Sequence, residues 1–447
     1  MQPTPTSRTI PAGTAERISH RNKPCGCPEF DRAISRRSFL KRAGVAGLVA
    51  GIASETAFTR LAFGATPYTG DILVILSLRG GFDGLQAVVP AAEPHHSNYL
   101  DLRPNVGIPS GQLIQLDGTF GMHPALAPLK PLYDSGAFGI VHAVGMAAPD
   151  RSHFSAMDEL ERAAPGTSLR TGWIDRVLGL REEGSVFQGV QIGNGLPATA
   201  FLGPSPELAM WSIDGFGLSA AWDDDERLRW DAALRGVHTN APAVLRAPAT
   251  AALDALATTA IMEQAGYTPA NGAVYPDSDL GHALTDVARL IKQDIGLEVA
   301  SVDYGDWDMH AGMGDVSSGW MVDHLTELAG SLAAFVTDMG SAMSGITVVT
   351  LTEFGRRIEE NGSGGTDHGY GQVVFLLGDG VQGGRVHGDW PGLAPGDLVD
   401  GDLAATTDYR SILAEILEDR CGASSSDVQG VFPGLGSTRP GVMDPLA

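Results

Sequence analysis

The sequence is poor in cysteine, in cations and in long apolar runs, and each shortage closes a class of explanation. Its three cysteines are Cys25, Cys27 and Cys421, so the chain beyond residue 64 keeps a single thiol. One thiol makes no internal disulfide and no cysteine-based zinc site, which leaves His, Asp and Glu for any metal. Lys and Arg number 30 against 53 Asp and Glu, a formal charge of −23. Ten of those basic and four of those acidic residues precede Ala65, so the remainder holds 20 basic and 49 acidic side chains, or 20 − 49 = −29. Such a surface repels nucleic acid and anionic lipid, whose binding needs a basic face. It is compatible with binding cations. No apolar run approaches the roughly 20 residues that span a bilayer, and no internal repeat is present.

What the sequence does have begins with Ser35-Arg36-Arg37-Ser38-Phe39-Leu40-Lys41. The paired arginines precede an apolar run at 43–53, broken only by glycine, and a small-residue cleavage site at Ala62-Phe63-Gly64-Ala65. A charged segment, a short apolar segment and small residues, in that order, form an export signal. Paired arginines make it a twin-arginine signal, a receptor-read address rather than an anchor. Residues 1–64 are therefore expected to be a signal peptide recognised by the twin-arginine translocase. The protein would be periplasmic, extracellular or associated with the cell envelope.

Residues 71–78 (DILVILSL) form an apolar run rich in β-branched residues, as expected of a strand buried on both faces. Similar runs lie at 138–144, 298–303, 346–352 and 373–377, with helical stretches at 126–133, 152–163 and 321–339. Leu284, Val287, Ala288, Ile291 and Ile295 keep helical spacing. Alternating strands and helices predict an α/β fold with a doubly wound, mostly parallel central sheet and helices on both faces. The domain is expected over 65–420, with an irregular insertion or cap at 165–275 and a loose tail at 421–447.

Polar residues gather where these strands end, which is where open α/β sheets place ligands. Asp83 follows the first strand in RGGFDG, and Arg151-Ser152-His153 follow the second. Asp308 and His310 follow the 298–303 strand; Glu353 ends the 346–352 strand, with Asp367-His368 in a glycine-flanked loop beyond it. Such an N/O set suits zinc, manganese or a similar divalent ion. Each residue also has a plainer reading. Asp83 before Gly84 caps a turn, Glu353 pairs with Arg356 or Arg357, Ser152 caps the following helix, and His153 packs against its neighbours. His123 and His142 read as structural.

At these residues the chain resembles a bacterial family called domain of unknown function 1501. LSLRGGFDGLQAVVP, HPALAPL, DRSHFSAMD, TGWIDR, DWDMH, TEFGRR, GGTDHGYG, GDWPGL and TTDYR occur in that family's order, from the signal to about Glu418. The resemblance implies an alkaline phosphatase-like fold, akin to sulfatases and phosphodiesterases, binding one or two metals at the C-terminal edge of the sheet. It implies metal ligands at Asp83, Asp308, His310, Glu353, Asp367 and His368, to which the reading of the strand ends adds His153 as a ligand. The divalent ion would be zinc, manganese or calcium. Two departures stand out. Ala147 occupies the nucleophile place of the sulfatase motif, with Pro149 and Arg151 retained, and Phe354 stands where a histidine ligand is usual. Two functions are therefore expected. One is an exported metal-dependent hydrolase of small anionic phosphate or sulfate esters, with Ser152 as nucleophile or a metal-bound water attacking directly, and Arg151 gripping the anion. The other is a non-catalytic binding or assembly protein of the cell envelope with an exported partner protein.

Overall fold

The computed structural model describes residues 68–181, 185–218 and 224–446. The expected signal peptide at 1–64 lies outside them. The described residues build a nine-stranded sheet. Its strands are β1 (Ile72–Ser77), β2 (Phe138–Gly145), β3 (Gly189–Ile192), β4 (Leu208–Met210), β5 (Val299–Asp303), β6 (Ile346–Leu351), β7 (Gln372–Leu377), β8 (Val386–His387) and β9 (Thr407–Asp408). Their order is β8-β2-β7-β6-β1-β5-β3-β4, with β9 also on β2. Every pairing is parallel except those of β7, which runs antiparallel to both β2 and β6.

Apolar residues alternate between two cores along β1. Val74 and Leu76 face one, with Leu284 and Val287 of helix Asp279–Lys292 and Leu325 and Leu328 of helix Trp320–Met339. Leu73 and Ile75 face the other, with Leu160 of helix α1 (His153–Arg162) and Ile412 and Ile416 of helix Tyr409–Asp419. A strand sends successive side chains to opposite faces, so the two cores are the two faces of one sheet. The doubly wound α/β architecture follows.

Register fixes where the functional edge lies. Ser77 of β1 is level with Asp303 of β5 and Leu351 of β6, so three parallel strands end together. Because β7 is antiparallel, it begins at that same edge, with Gln372 beside Val144 of β2. The chain therefore leaves β6 at the edge, makes a hairpin of Arg356–Glu360 against Thr366–His368, and re-enters there.

Two expectations need correction. Segment 165–275 is not wholly an insertion, since β3 and β4 extend the central sheet. Helices Asp224–His238 and Ala243–Ala265 carry a small cluster of their own around Leu234 and Leu253. The tail is not loose: Ser424 and Asp427 cap a helix at Ser425–Val431, and Val428, Val431, Phe432 and Val442 are fully buried. Alternation of apolar residues hidden among Gly, Ser and Pro outweighed the composition.

Candidate metal centre

Three imidazoles converge on one carboxylate oxygen at this edge. Asp308 Oδ1 lies 3.4 Å from His153 Nε2, 3.1 Å from His310 Nε2 and 3.2 Å from His368 Nε2. His153, Asp308 and His368 each offer a ligand atom, and all three atoms lie within 4.8 Å of one another. His310 Nε2 is 2.9 Å from His368 Nε2.

The opposite nitrogen of each ring is held by an oxygen. His368 Nδ1 donates to the Arg151 carbonyl at 2.7 Å. His153 Nδ1 donates to Glu353 Oε1 at 2.7 Å, and His310 Nδ1 to Asp367 Oδ1 at 2.9 Å. A carbonyl or carboxylate can only accept, so each Nδ1 carries a proton, and Nε2 is the atom each ring turns inward. Metal-binding histidines are oriented in this way. His153 Nε2 is buried with no hydrogen-bond partner among the described residues. Three Nε2 atoms around one carboxylate, that of His153 orphaned, fit a divalent cation.

The electrostatics agree. Burial alone would lower the His153 pKa, but the Asp308 and Glu353 carboxylates beside the ring outweigh it and carry it up to about 9. Burial would raise Asp308, but the His153 imidazole beside it and hydrogen bonds with His368 and Arg356 hold it far below the usual carboxylate range. Glu353, likewise buried, is lowered chiefly by its bond from His153. Asn361 and His310 lower Asp367. The site is thus an anionic pocket that draws a positive charge, here a proton on His153.

The expected residues divide into groups. His153, Asp308, His310 and His368 come together with inward-facing atoms. Glu353 and Asp367 stand behind, each orienting an imidazole. Glu353 also accepts from Gly80 N at 2.9 Å and Thr352 Oγ1 at 2.9 Å, rather than pairing with Arg356 or Arg357. Asp83 stands outside the cluster. It is buried, bound by Arg103 Nη1 at 2.9 Å, accepts from Thr366 Oγ1 at 3.1 Å, and caps helix Gly84–Ala87 through Gln86 N. Its charge is spent on Arg103, which overturns its expected place among the ligands. Arg151 joins through its carbonyl, while its guanidinium is engaged by buried Asp402 and does not grip an anion at the cluster as expected. Ser152 is exposed at the N-terminus of α1, one residue before His153, and its side chain makes no capping bond. Phe354 is 2% exposed, with its ring 4.8 Å from those of both His153 and His368. An apolar wall thus stands where the family resemblance implied a histidine.

Arg356 was foreseen only as a partner for Glu353, yet it ties the site together. Fully buried, it donates to the carbonyls of Gly81 (2.7 Å), Thr366 (3.0 Å), Trp307 (3.2 Å) and Gly80, and to Asp308 Oδ1 at 2.7 Å. One side chain thus links the loops after β1 and β5 to the hairpin after β6. Gly81 makes room for this arrangement: its φ is +72°, and a Cβ there would lie 2.6 Å from the Phe354 ring.

The family model described as Protein of unknown function (DUF1501) matches residues 248–418. No curated protein matches the chain. Among solved structures, the chain is similar to the C-terminal periplasmic domain of EcEptC from Escherichia coli in complex with Zn, at 9% identity and TM-score 0.30, covering 70% of this chain and 77% of that one. It is similar to the lipoteichoic acid synthase LtaP from Listeria monocytogenes, at 8% identity and TM-score 0.29, over 76% and 70% of the two chains. Phosphonoacetate hydrolase from Sinorhizobium meliloti 1021 in complex with phosphonoacetate gives 11% identity and TM-score 0.25, over 66% and 61%.

Proposed function

The chain belongs to the DUF1501 family, and from the site it carries we propose a metal-dependent hydrolase of phosphate or sulfate esters, of alkaline phosphatase-like type. The observation that carries this reading is the convergence of three Nε2 atoms on Asp308 Oδ1, each ring fixed from behind. His153, Asp308 and His368 would hold the ion, with His310 beside them. Imidazole ligands suit zinc or manganese; calcium takes oxygen ligands, which argues against it here. A divalent cation supplies Lewis acidity toward an ester oxygen and a lowered pKa for water.

The protein's own residues do the rest. Glu353, Asp367 and the Arg151 carbonyl keep the imidazoles in one tautomer. Phe354, given room by Gly81, lays its ring against those of His153 and His368. We assign Ser152 as the acceptor of the transferred group, because its hydroxyl is uncommitted and stands at the positive end of α1, which favours an alkoxide. In this reading the protein reaches the envelope or its exterior by the twin-arginine route and acts on a small anionic ester.

A second reading is favoured by Ala147 and Phe354: a non-catalytic envelope protein that keeps the cation to hold its shape for an exported partner protein. Elemental analysis and an aryl phosphate and aryl sulfate assay distinguish them. The hydrolase reading expects a stoichiometric metal, turnover, and loss of both in His368→Ala. Metal without turnover, together with a co-purifying partner, favours the second. A wild type that neither retains nor takes up metal sinks both. Ser152→Ala should lower turnover at least about 100-fold if the serine attacks; full activity would assign the attack to water.

A further inference from the structure

Side chains alternate along the strand Arg356–Glu360, so Arg357 faces away from Arg356 and the cluster. There it meets a second arginine over one buried carboxylate. Asp402 is 0% exposed. Arg151 donates to its Oδ2 through Nε at 3.0 Å and through Nη2. Arg357 Nη1 lies 3.7 Å from its Oδ1 and donates to the Asp400 carbonyl at 3.1 Å. Among the described residues, Asp402 Oδ1 has no hydrogen-bond partner.

The loop beneath is shaped around these groups. Strands Leu398–Val399 and Asp402–Leu403 form a hairpin whose turn residues, Asp400 at φ +52° and Gly401 at φ +84°, are left-handed. Asp-Gly suits such a two-residue turn. A Cβ on Gly401 would come within 2.8 Å of Arg357 Nη1, so glycine leaves the guanidinium its place.

Two guanidiniums meet over one buried carboxylate. Both arginine side chains are about one-third exposed, at 36% and 34%. Arg151 Nη1 and Arg357 Nε and Nη2 make no hydrogen bond among the described residues. Asp400, exposed in the turn, adds a second carboxylate that acts on Asp402, and Asp150 accepts from Ser152 N and Ser155 Oγ. Free, fork-shaped donors on two neighbouring guanidiniums match a planar or tetrahedral oxyanion.

We propose that Arg151 and Arg357 form an oxyanion-binding subsite for a phosphate, sulfate or carboxylate group. It sits across the ligand hairpin from the His/Asp cluster and shares the backbone at 151–153 with it, since the Arg151 carbonyl orients His368. That the anion is a second charged group on the enzyme's own ester rests on the hydrolase reading; the subsite does not.

The test is calorimetric titration of inorganic phosphate into metal-stripped protein at low salt, for wild type, His368→Ala, Arg357→Ala and Arg357→Lys. Arg357 is chosen because removing Arg151 would leave Asp402 buried and unpaired. Saturable binding is expected in wild type and in His368→Ala. It should weaken about tenfold or more in Arg357→Ala, the scale of a charge-assisted bond, and recover in part in Arg357→Lys. Equal affinity in Arg357→Ala, or no saturable binding in wild type, overturns the subsite. Loss of phosphate binding in His368→Ala overturns it too, by putting the anion at the cluster. None of these outcomes depends on whether any ester is turned over.

Discussion

Arg356 and Asp83 show how differently two charged residues can serve one site. Arg356 gives its donors to four loop carbonyls and Asp308. Lysine has three donors on a compact head and cannot reproduce that fork. Arg356→Lys should therefore cost about 3–5 kcal/mol, the scale for breaking a buried charge network, and should loosen metal retention because Asp308 loses its anchor. Urea unfolding with metal analysis checks this; a change under about 1 kcal/mol would mean the network is dispensable. Asp83 predicts the opposite split. Asp83→Asn removes the charge facing buried Arg103 and should destabilise by about 3 kcal/mol, while folded protein keeps its metal. Loss of metal without loss of stability would return Asp83 to the ligand set. The sequence could not separate these roles. An aspartate after a strand looks the same whether it faces an ion or an arginine, and nothing local announces that Arg103, twenty residues on, lies beneath it.

At the level of elements, the apolar runs at 71–78, 138–144, 298–303 and 346–352 became β1, β2, β5 and β6 within a residue or two of their expected ends. Uninterrupted apolar stretches leave few alternatives once both faces must be buried. The direction of β7 was not legible, because an apolar run reads alike in both directions. That direction decides where His368 goes. The hairpin before β7 depends on close backbone crossing: a Cβ on Gly369 would lie 2.3 Å from the Arg356 carbonyl carbon. Gly369→Ala should push the hairpin strands apart, cost about 1–3 kcal/mol as overpacking does, and release the metal more readily. Unchanged stability and metal content would show that the crossing is slack.

For the whole molecule, acidity and, in the hydrolase reading, a bound metal set the limits of stability. Burial pushes both His123 and His142 down to about 4. Below about pH 6.5 the unfolded chain takes up protons that these native rings refuse, so each drains stability as pH falls from about 6.5 to about 4 and has no effect above. Each should cost about 2 kcal/mol at pH 5. Urea unfolding at pH 7 and pH 5 should show the loss, smaller in His142→Gln; an equal loss in that variant would exclude the ring as its source. Chelation should lower the melting temperature of the wild type, since an ion bound only by the native state stabilises it, and leave His368→Ala unmoved. A melting temperature insensitive to chelator in both would place the ion outside this centre. Of the site as a whole, the clustering of Asp308, His310 and His368 was readable because chemistry-bearing residues followed strands. The supporting layer was not, because hydrogen bonds to backbone, such as His368 to the Arg151 carbonyl, leave no trace in residue type.

The antiparallel β7 has one further effect. Because residues 352–371 leave and rejoin the sheet at neighbouring strands on one edge, they form a closed cassette. Its ends are fixed by β6 and β7 whatever its contents, and lengthening it costs only about 0.6 kcal/mol per doubling in closure entropy. Descendants of this chain could therefore redraw the cassette, and with it the chemistry, by insertion or deletion while inheriting the sheet unchanged.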